Sequence, residues 1–178
     1  MNLGDAAKRA FALQDYTPQA PIGGVEIIDL KRFVDDGGSF LELGRLTAGA
    51  HAALRGFEVK QINYSEMDPG VIKAFHLHRR QTDVWFVPPD ARMLLVLVDA
   101  RAGSPTENAV RRLVLGDGAT RLVRIPPGVA HGVKNLAATR GRIIYLVDTH
   151  FSPDPDTSDE GRLPWDFAGI DVWEPTRG

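Results

Sequence analysis

The 178 residues contain no cysteine, which excludes thiol chemistry, cysteine-ligated zinc and a disulfide framework. Long apolar runs are missing too. The longest, Met93 to Val98, is far too short to span a bilayer. Met1 to Asp15 carries Asp5, Lys8, Arg9 and Asp15 and lacks the apolar centre of a signal peptide, so a soluble cytoplasmic protein is expected. No block of one charge sign occurs: 21 basic and 23 acidic residues leave a net charge of −2. Nucleic-acid binding and attraction to an anionic membrane are therefore not expected.

What is present is a pair of histidine runs that read together as one site. The first is Gly70-Val-Ile-Lys-Ala-Phe-His76-Leu-His78, with Asp83 shortly after. The second is Pro126-Pro-Gly128-Val-Ala-His131-Gly-Val-Lys-Asn135. Strand residues two apart share a face, so His76 and His78 can turn two imidazoles into one cavity. A later strand bringing His131 alongside, with Asp83 as an anionic member, gives the donor set of a divalent metal: His76, His78, Asp83 and His131. Each has a plainer reading. His78 is followed by Arg79 and Arg80, as at a strand nearing a rim; Asp83 can cap a turn, with Gln81 competing for its place; His51 and His150 read as surface residues. Trp85 and Phe86 read as packing.

From Phe57 onward, short β-rich runs alternate with turn residues: 57–65, 71–78, 84–87, 92–100, 110–115, 121–125 and 142–149. Asp68-Pro-Gly, Gly116-Asp-Gly and Pro126-Pro-Gly are among the breaks. This punctuation indicates an antiparallel sandwich or barrel rather than βαβ units. A mass of 19.5 kDa suits one domain over 1–178, with the barrel core at about 57–150. Residues 5–14 read as a short amphipathic helix. The tail from Ser152 is rich in proline and acids; Phe151, Trp165, Phe167 and Trp173 are expected to pin it to the barrel as irregular structure.

The two histidine runs resemble the paired motifs of the cupin superfamily of jelly-roll β-barrels. A narrower resemblance covers about residues 20–173, on Gly38-Ser-Phe40-Leu-Glu42, Gln61-Ile-Asn63, Asp99-Ala-Arg101-Ala-Gly-Ser-Pro-Thr106, Ile125-Pro-Pro-Gly-Val-Ala-His131-Gly132, Tyr145 and Ile170-Asp-Val-Trp173-Glu-Pro175. These runs resemble the dTDP-4-dehydrorhamnose 3,5-epimerase family. The resemblance implies an all-β cupin jelly roll of two antiparallel sheets with short terminal extensions, no organic cofactor, and a homodimer. It also implies a keto-sugar substrate, nucleotide-linked in the family. Proton abstraction next to a carbonyl would fall to His76, with Tyr145 returning a proton on the opposite face. Phe40, Glu42, Gln61, Asn63, Lys73, Arg101 and His131 would contact substrate.

The chain departs from the family pattern in ways that bear on chemistry. Gly37 and Lys73-Ala74 stand where two phosphate-holding arginines are usual, which weakens a bidentate grip. Asp83 falls where the family has an oxyanion-stabilising lysine. No Ser-x-Lys-Asp run follows Trp173, so His76 is expected to lack its orienting aspartate. Two changes together, to His78 and Asp83, subtract positive charge and add ligands for Zn²⁺, Fe²⁺, Mn²⁺ or Ni²⁺. Three functions are therefore open: a sugar epimerase with weak classical 3,5-epimerase activity, a metal-dependent cupin isomerase or oxygenase on a small carbonyl or carboxylate compound, and a non-catalytic sugar-binding cupin.

Overall fold

The run Arg92-Met-Leu-Leu-Val-Leu-Val-Asp99 shows no alternation because both of its faces are covered, as its burial from Met93 to Asp99 records. Met93, Leu95 and Leu97 face the space between two sheets, while Leu94, Val96 and Val98 face the C-terminal tail. The computed structural model describes residues 2–14, 17 and 19–175. In chain order its elements are helix α1 (Asp5–Ala10) and strands β1 (Glu26–Asp29), β2 (Arg32–Asp35), β3 (Gly38–Leu41), β4 (Leu46–Thr47), β5 (Ala50–His51), β6 (Gln61–Met67) and β7 (Ile72–Leu77). They continue with β8 (Asp83–Phe86), β9 (Arg92–Asp99), β10 (Val110–Gly116), β11 (Arg121–Ile125), β12 (Val129–Asn135), β13 (Gly141–Val147) and β14 (Gly161–Arg162), and a 3-10 turn at Ile170–Trp173.

Two five-stranded antiparallel sheets pack face to face, ordered β1-β11-β8-β13-β6 and β10-β9-β12-β7-β14. This is the all-β jelly roll expected. Trp85, Leu95, Val123, Ile125 and Val133 fill the space between the sheets. The first sheet's outer face, with Val84, Phe86, Leu122 and Leu146, is covered by Leu54, Phe57 and their neighbours. The sheets take in β1 and β14, so the barrel draws on residues 26–162 rather than 57–150. Both strands are short and gain their place by pairing with distant partners, which local text does not reveal.

The tail is largely irregular, with one two-residue strand and a 3-10 turn, and Trp173 is the one of its four marked aromatics that is buried. Trp173 is buried against Phe75 with ring centroids 5.2 Å apart, and its Nε1 donates to the Trp165 carbonyl at 2.8 Å. Phe167 meets Phe75 edge-on but, like Phe151 and Trp165, remains largely exposed. His51 is not a surface residue. It is buried, accepting from the Ala53 amide on Nδ1, with Nε2 3.2 Å from the Leu43 carbonyl. Helix α1 is shorter than the expected 5–14 and buries nothing, since six residues without a docking face cannot be held by packing. No helix among the described residues is long and apolar enough to cross a membrane.

Candidate active site

A cavity of about 720 Å³ opens between the sheets. Strand β7 supplies one wall. Its pairing with β12 matches His131 to His76 but Val133 to Lys73, so Ala74 and Phe75 together oppose Gly132 in a bulge. Gly132 has no room for a side chain: a Cβ there would lie 2.3 Å from the Ala74 Cβ and 2.9 Å from its Cα. The bulge leaves His76 and His78 on the cavity side and sends Phe75 to the tail. Strands β6, β8 and β13 supply the other wall with Gln61 and Asn63, with Asp83 and Trp85, and with Tyr145. His76 and Tyr145 thus come from opposite sheets into one space.

The imidazoles divide into two settings. His76 stands at the half-open mouth, its side chain 22% exposed, with Nδ1 3.6 Å from Glu160 Oε2. Arg162 Nη1 donates to its Nε2 at 3.0 Å. Burial pulls its pKa below the usual imidazole range, with Glu160 opposing and the His131 and Arg162 charges reinforcing. His78 and His131 lie deeper, both nearly inaccessible, around Asp83. His78 Nε2 is 3.7 Å from Asp83 Oδ1 and His131 Nε2 is 3.4 Å from Oδ2. Gln81 Nε2 donates to Oδ1 at 2.8 Å and Trp85 Nε1 to Oδ2 at 3.0 Å. Burial works against the charge on Asp83. The His131 contact, the His131 and His78 charges and the Trp85 hydrogen bond overcome it and hold the carboxyl well below its usual range. Tyr145 is half-buried, and burial, then the Asp83 and Glu160 charges, raise its phenol pKa.

The four histidine-run residues therefore do not form one group. His78, Asp83 and His131 converge, with one ligand atom from each within 4.8 Å of the others; His76 is turned to Glu160 and Arg162 instead. Among the expected substrate contacts, Gln61, Asn63 and Lys73 line the cavity, where Gln61 Nε2 donates to Asn63 Oδ1 at 2.6 Å and Lys73 Nζ donates to Ser65 Oγ at 3.1 Å. Phe40, Glu42, Arg101 and His131 do not line it. Phe40 lies on the exposed β2–β3 ribbon against Phe33, and Glu42 pairs with Arg45 at 2.9 Å. His131 sits behind Asp83 with its ring parallel to that of His76. Arg101 is locked onto Asp99 through Nε at 2.7 Å and Nη2 at 2.8 Å, and also donates to the Gly23 carbonyl. Gly128, at a φ of 78°, passes so close that a Cβ would meet the Arg101 Cγ at 2.4 Å. The Asp-x-Arg-x-Gly-Ser-Pro-Thr run is thus a structural knot.

Glu160, Arg162 and Asp159 went unrecognised in the sequence. Strand β14 pairs Gly161 with Leu77 and Arg162 with His76, which sets Glu160 beside the imidazole. Asp159 accepts from the amides of Arg79, Arg80 and Gln81 at 3.1, 2.9 and 2.8 Å, tying the tail to the turn after β7. The only signal was the adjacent acid pair Asp159-Glu160 in an otherwise irregular tail. Trp85, expected as packing, also donates to Asp83.

Comparison with known proteins agrees with this architecture. Residues 19–172 match the family model described as dTDP-4-dehydrorhamnose 3,5-epimerase. The spore coat polysaccharide biosynthesis protein SpsL of Bacillus subtilis is 41% identical over 149 residues, 84% of this chain and 93% of that protein. The crystal structure of a dTDP sugar isomerase from Desulfovibrio desulfuricans has a TM-score of 0.71 at 25% identity, covering 87% of this chain and 91% of that one. An epimerase from Legionella pneumophila, solved with dTDP-4-keto-L-rhamnose, gives a TM-score of 0.66 at 27% identity over 76% of this chain and 72% of its own. With the family match spanning residues 19–172, the protein belongs to the dTDP-4-dehydrorhamnose 3,5-epimerase family and is a sugar epimerase, an isomerase.

Proposed function

We propose that the chain inverts a carbon next to the ketone of a nucleotide-linked 4-keto sugar, with His76 as base and Tyr145 as acid. The observation that carries this reading is their placement: one imidazole and one phenol enter a single cavity from opposite sheets, as removal and return of a proton on opposite faces of an enolate demand. Their protonation states suit the roles. The lowered pKa of His76 keeps it neutral at pH 7, and the raised pKa of Tyr145 keeps its proton. Glu160 is a positioning residue that holds the Nδ1 side of the ring, leaving Nε2 for the substrate proton. Arg162 occupies that lone pair, so substrate must displace it; the freed guanidinium remains in the cavity as the cation that Asp83 does not provide. The likeness to the Legionella enzyme with its bound dTDP-4-keto-L-rhamnose supports the substrate class. The phosphate-holding positions, Gly37 and Lys73 in place of arginine, favour a weaker grip, and hence weak 3,5-epimerisation of dTDP-4-keto-6-deoxyglucose.

The test is solvent deuterium incorporation at C3 and C5 of that substrate class. Exchange should occur in the wild type, at a slow rate on dTDP-4-keto-6-deoxyglucose, and should disappear in His76→Ala. Tyr145→Phe should exchange at one face without inversion. Undiminished inversion in both variants would overturn the assignment.

A homodimer is part of this reading. β6 is an edge strand whose outward Ile62 and Tyr64 are exposed, and the separate β2–β3 ribbon leaves Phe33, Val34 and Phe40 exposed. An unpaired edge with apolar outward residues is a site for strand pairing with a second copy. Sedimentation of the wild type and of Ile62→Lys should give a dimer and a monomer; a monomeric wild type removes the proposal.

A further inference from the structure

Beneath the mouth occupied by His76, the floor of the cavity has a composition that sugar binding does not explain. His78 Nδ1 lies 2.7 Å from the Asp159 carbonyl, and His131 Nδ1 lies 3.1 Å from the Val129 carbonyl. A carbonyl can only accept, so each ring carries its proton on Nδ1. Each Nε2 is then turned toward the same carboxylate, at 3.7 and 3.4 Å, and all three groups are almost wholly buried. His131 Nε2 is a buried atom with no hydrogen-bond partner; its approach to Asp83 is close without being aligned as a hydrogen bond. The neighbouring Gln81 amide nitrogen reaches His78 Nε2 only at 3.5 Å. His131 Nε2 is thus an unpartnered nitrogen facing, with His78 Nε2, one carboxylate in a buried pocket, and an unpaired buried polar atom is unfavourable.

A single divalent cation can accept both nitrogen lone pairs and a carboxylate oxygen at once, and one ligand atom from each of the three groups lies within 4.8 Å of the others. We propose that His78, Asp83 and His131 bind one divalent transition-metal ion. Two imidazoles and a carboxylate are the donor set that suits Zn²⁺, Fe²⁺, Mn²⁺ or Ni²⁺. Backbone carbonyls on the two Nδ1 atoms are the outer contacts that fix ligand tautomers, and Gln81 and Trp85 do the same for the carboxylate. His78 and Asp83 both line the cavity, so a held ion is within reach of a sugar oxygen there, and a metal can polarise a carbonyl. His76 is outside the set.

The experiment does not depend on epimerase activity, so it can fail while that reading stands. Chelator-stripped wild-type protein is titrated with ZnCl₂ by calorimetry and with CoCl₂ by visible absorption. One ion per chain is expected, with a dissociation constant of about 10 μM or tighter and with cobalt ligand-field bands. Asp83→Asn and His131→Gln, each checked for folding by circular dichroism, should lose both signals; His76→Ala should keep them. His78→Gln provides a further check if either variant fails to fold. Absence of binding in the wild type, or binding that survives Asp83→Asn, overturns the proposal. Loss of binding in His76→Ala overturns the assignment of ligands.

Discussion

Asp83 and Asp99 are both buried carboxylates at strand ends, and they differ in what surrounds them. Asp99 accepts five hydrogen bonds, from the Arg101 amide and guanidinium and from Ser104 and Thr106. Thr106 in turn takes the Gly23 amide, so this carboxylate ties the segment before β1 to the barrel. Asp83 accepts two clear hydrogen bonds and is approached by two imidazoles that are not aligned with it. A buried charge whose valences are all filled holds the fold; one left partly unfilled in a cavity is available for chemistry.

The largest effect separating them should be on stability. Asp99→Ala leaves Arg101, Ser104 and Thr106 without their shared acceptor and should cost about 3–5 kcal/mol in urea unfolding. The α-proton exchange of the protein that remains folded should stay near wild type. Next in size is Glu160→Gln, which touches a pair held as loosely as the Asp83 contacts. Exchange should slow by about 10²-fold, with kcat taking most of the loss. An unchanged rate would make Glu160 a bystander.

Acid titration tests the Asp99 site. Hydrogen bonds from Arg101, Ser104 and Thr106 hold the Asp99 carboxyl well below its usual range, against the opposing effect of burial. A depressed folded pKa contributes stability above the unfolded value of about 3.9, and that contribution is lost as pH falls through the folded value. The stability gap between wild type and Asp99→Asn, followed by unfolding at stepped pH, should therefore narrow below about pH 4. A smaller loss is expected for Asp83→Asn in the absence of metal than for Asp99→Ala, because two aligned donors rather than five lose a charged acceptor. A loss as large as that of Asp99→Ala would erase the distinction drawn between the two sites.

Much of the barrel was readable because its strands announce themselves locally. The run Arg121–Ile125 coincides with β11 and 92–100 overlaps β9, since β-rich runs between Gly and Pro turns need no distant information. Strand β12 was not among the marked runs: its text, Val-Ala-His-Gly-Val, carries a glycine whose purpose is visible only opposite the β7 bulge. His76 and His78, two apart as a shared strand face requires, both line the cavity. That spacing could not tell that His76 would turn to Glu160, because that choice depends on a two-residue strand paired across more than eighty positions. Arg101 misled for a related reason: a specific motif marks constraint, and here the constraint is architectural.

Strand β14 has a kinetic consequence. The residues that flank His76, Glu160 and Arg162, belong to a segment moored by one short ladder, the Asp159 contacts and Trp173. Such a segment can open with a free energy well below that of the barrel. Each opening would strip the base of both neighbours while the sheets stay intact. The working fraction of enzyme is then set by a local equilibrium, readable as amide exchange at Leu163 and Phe75, whose backbones bond each other. Catalysis should fade on warming before the barrel melts.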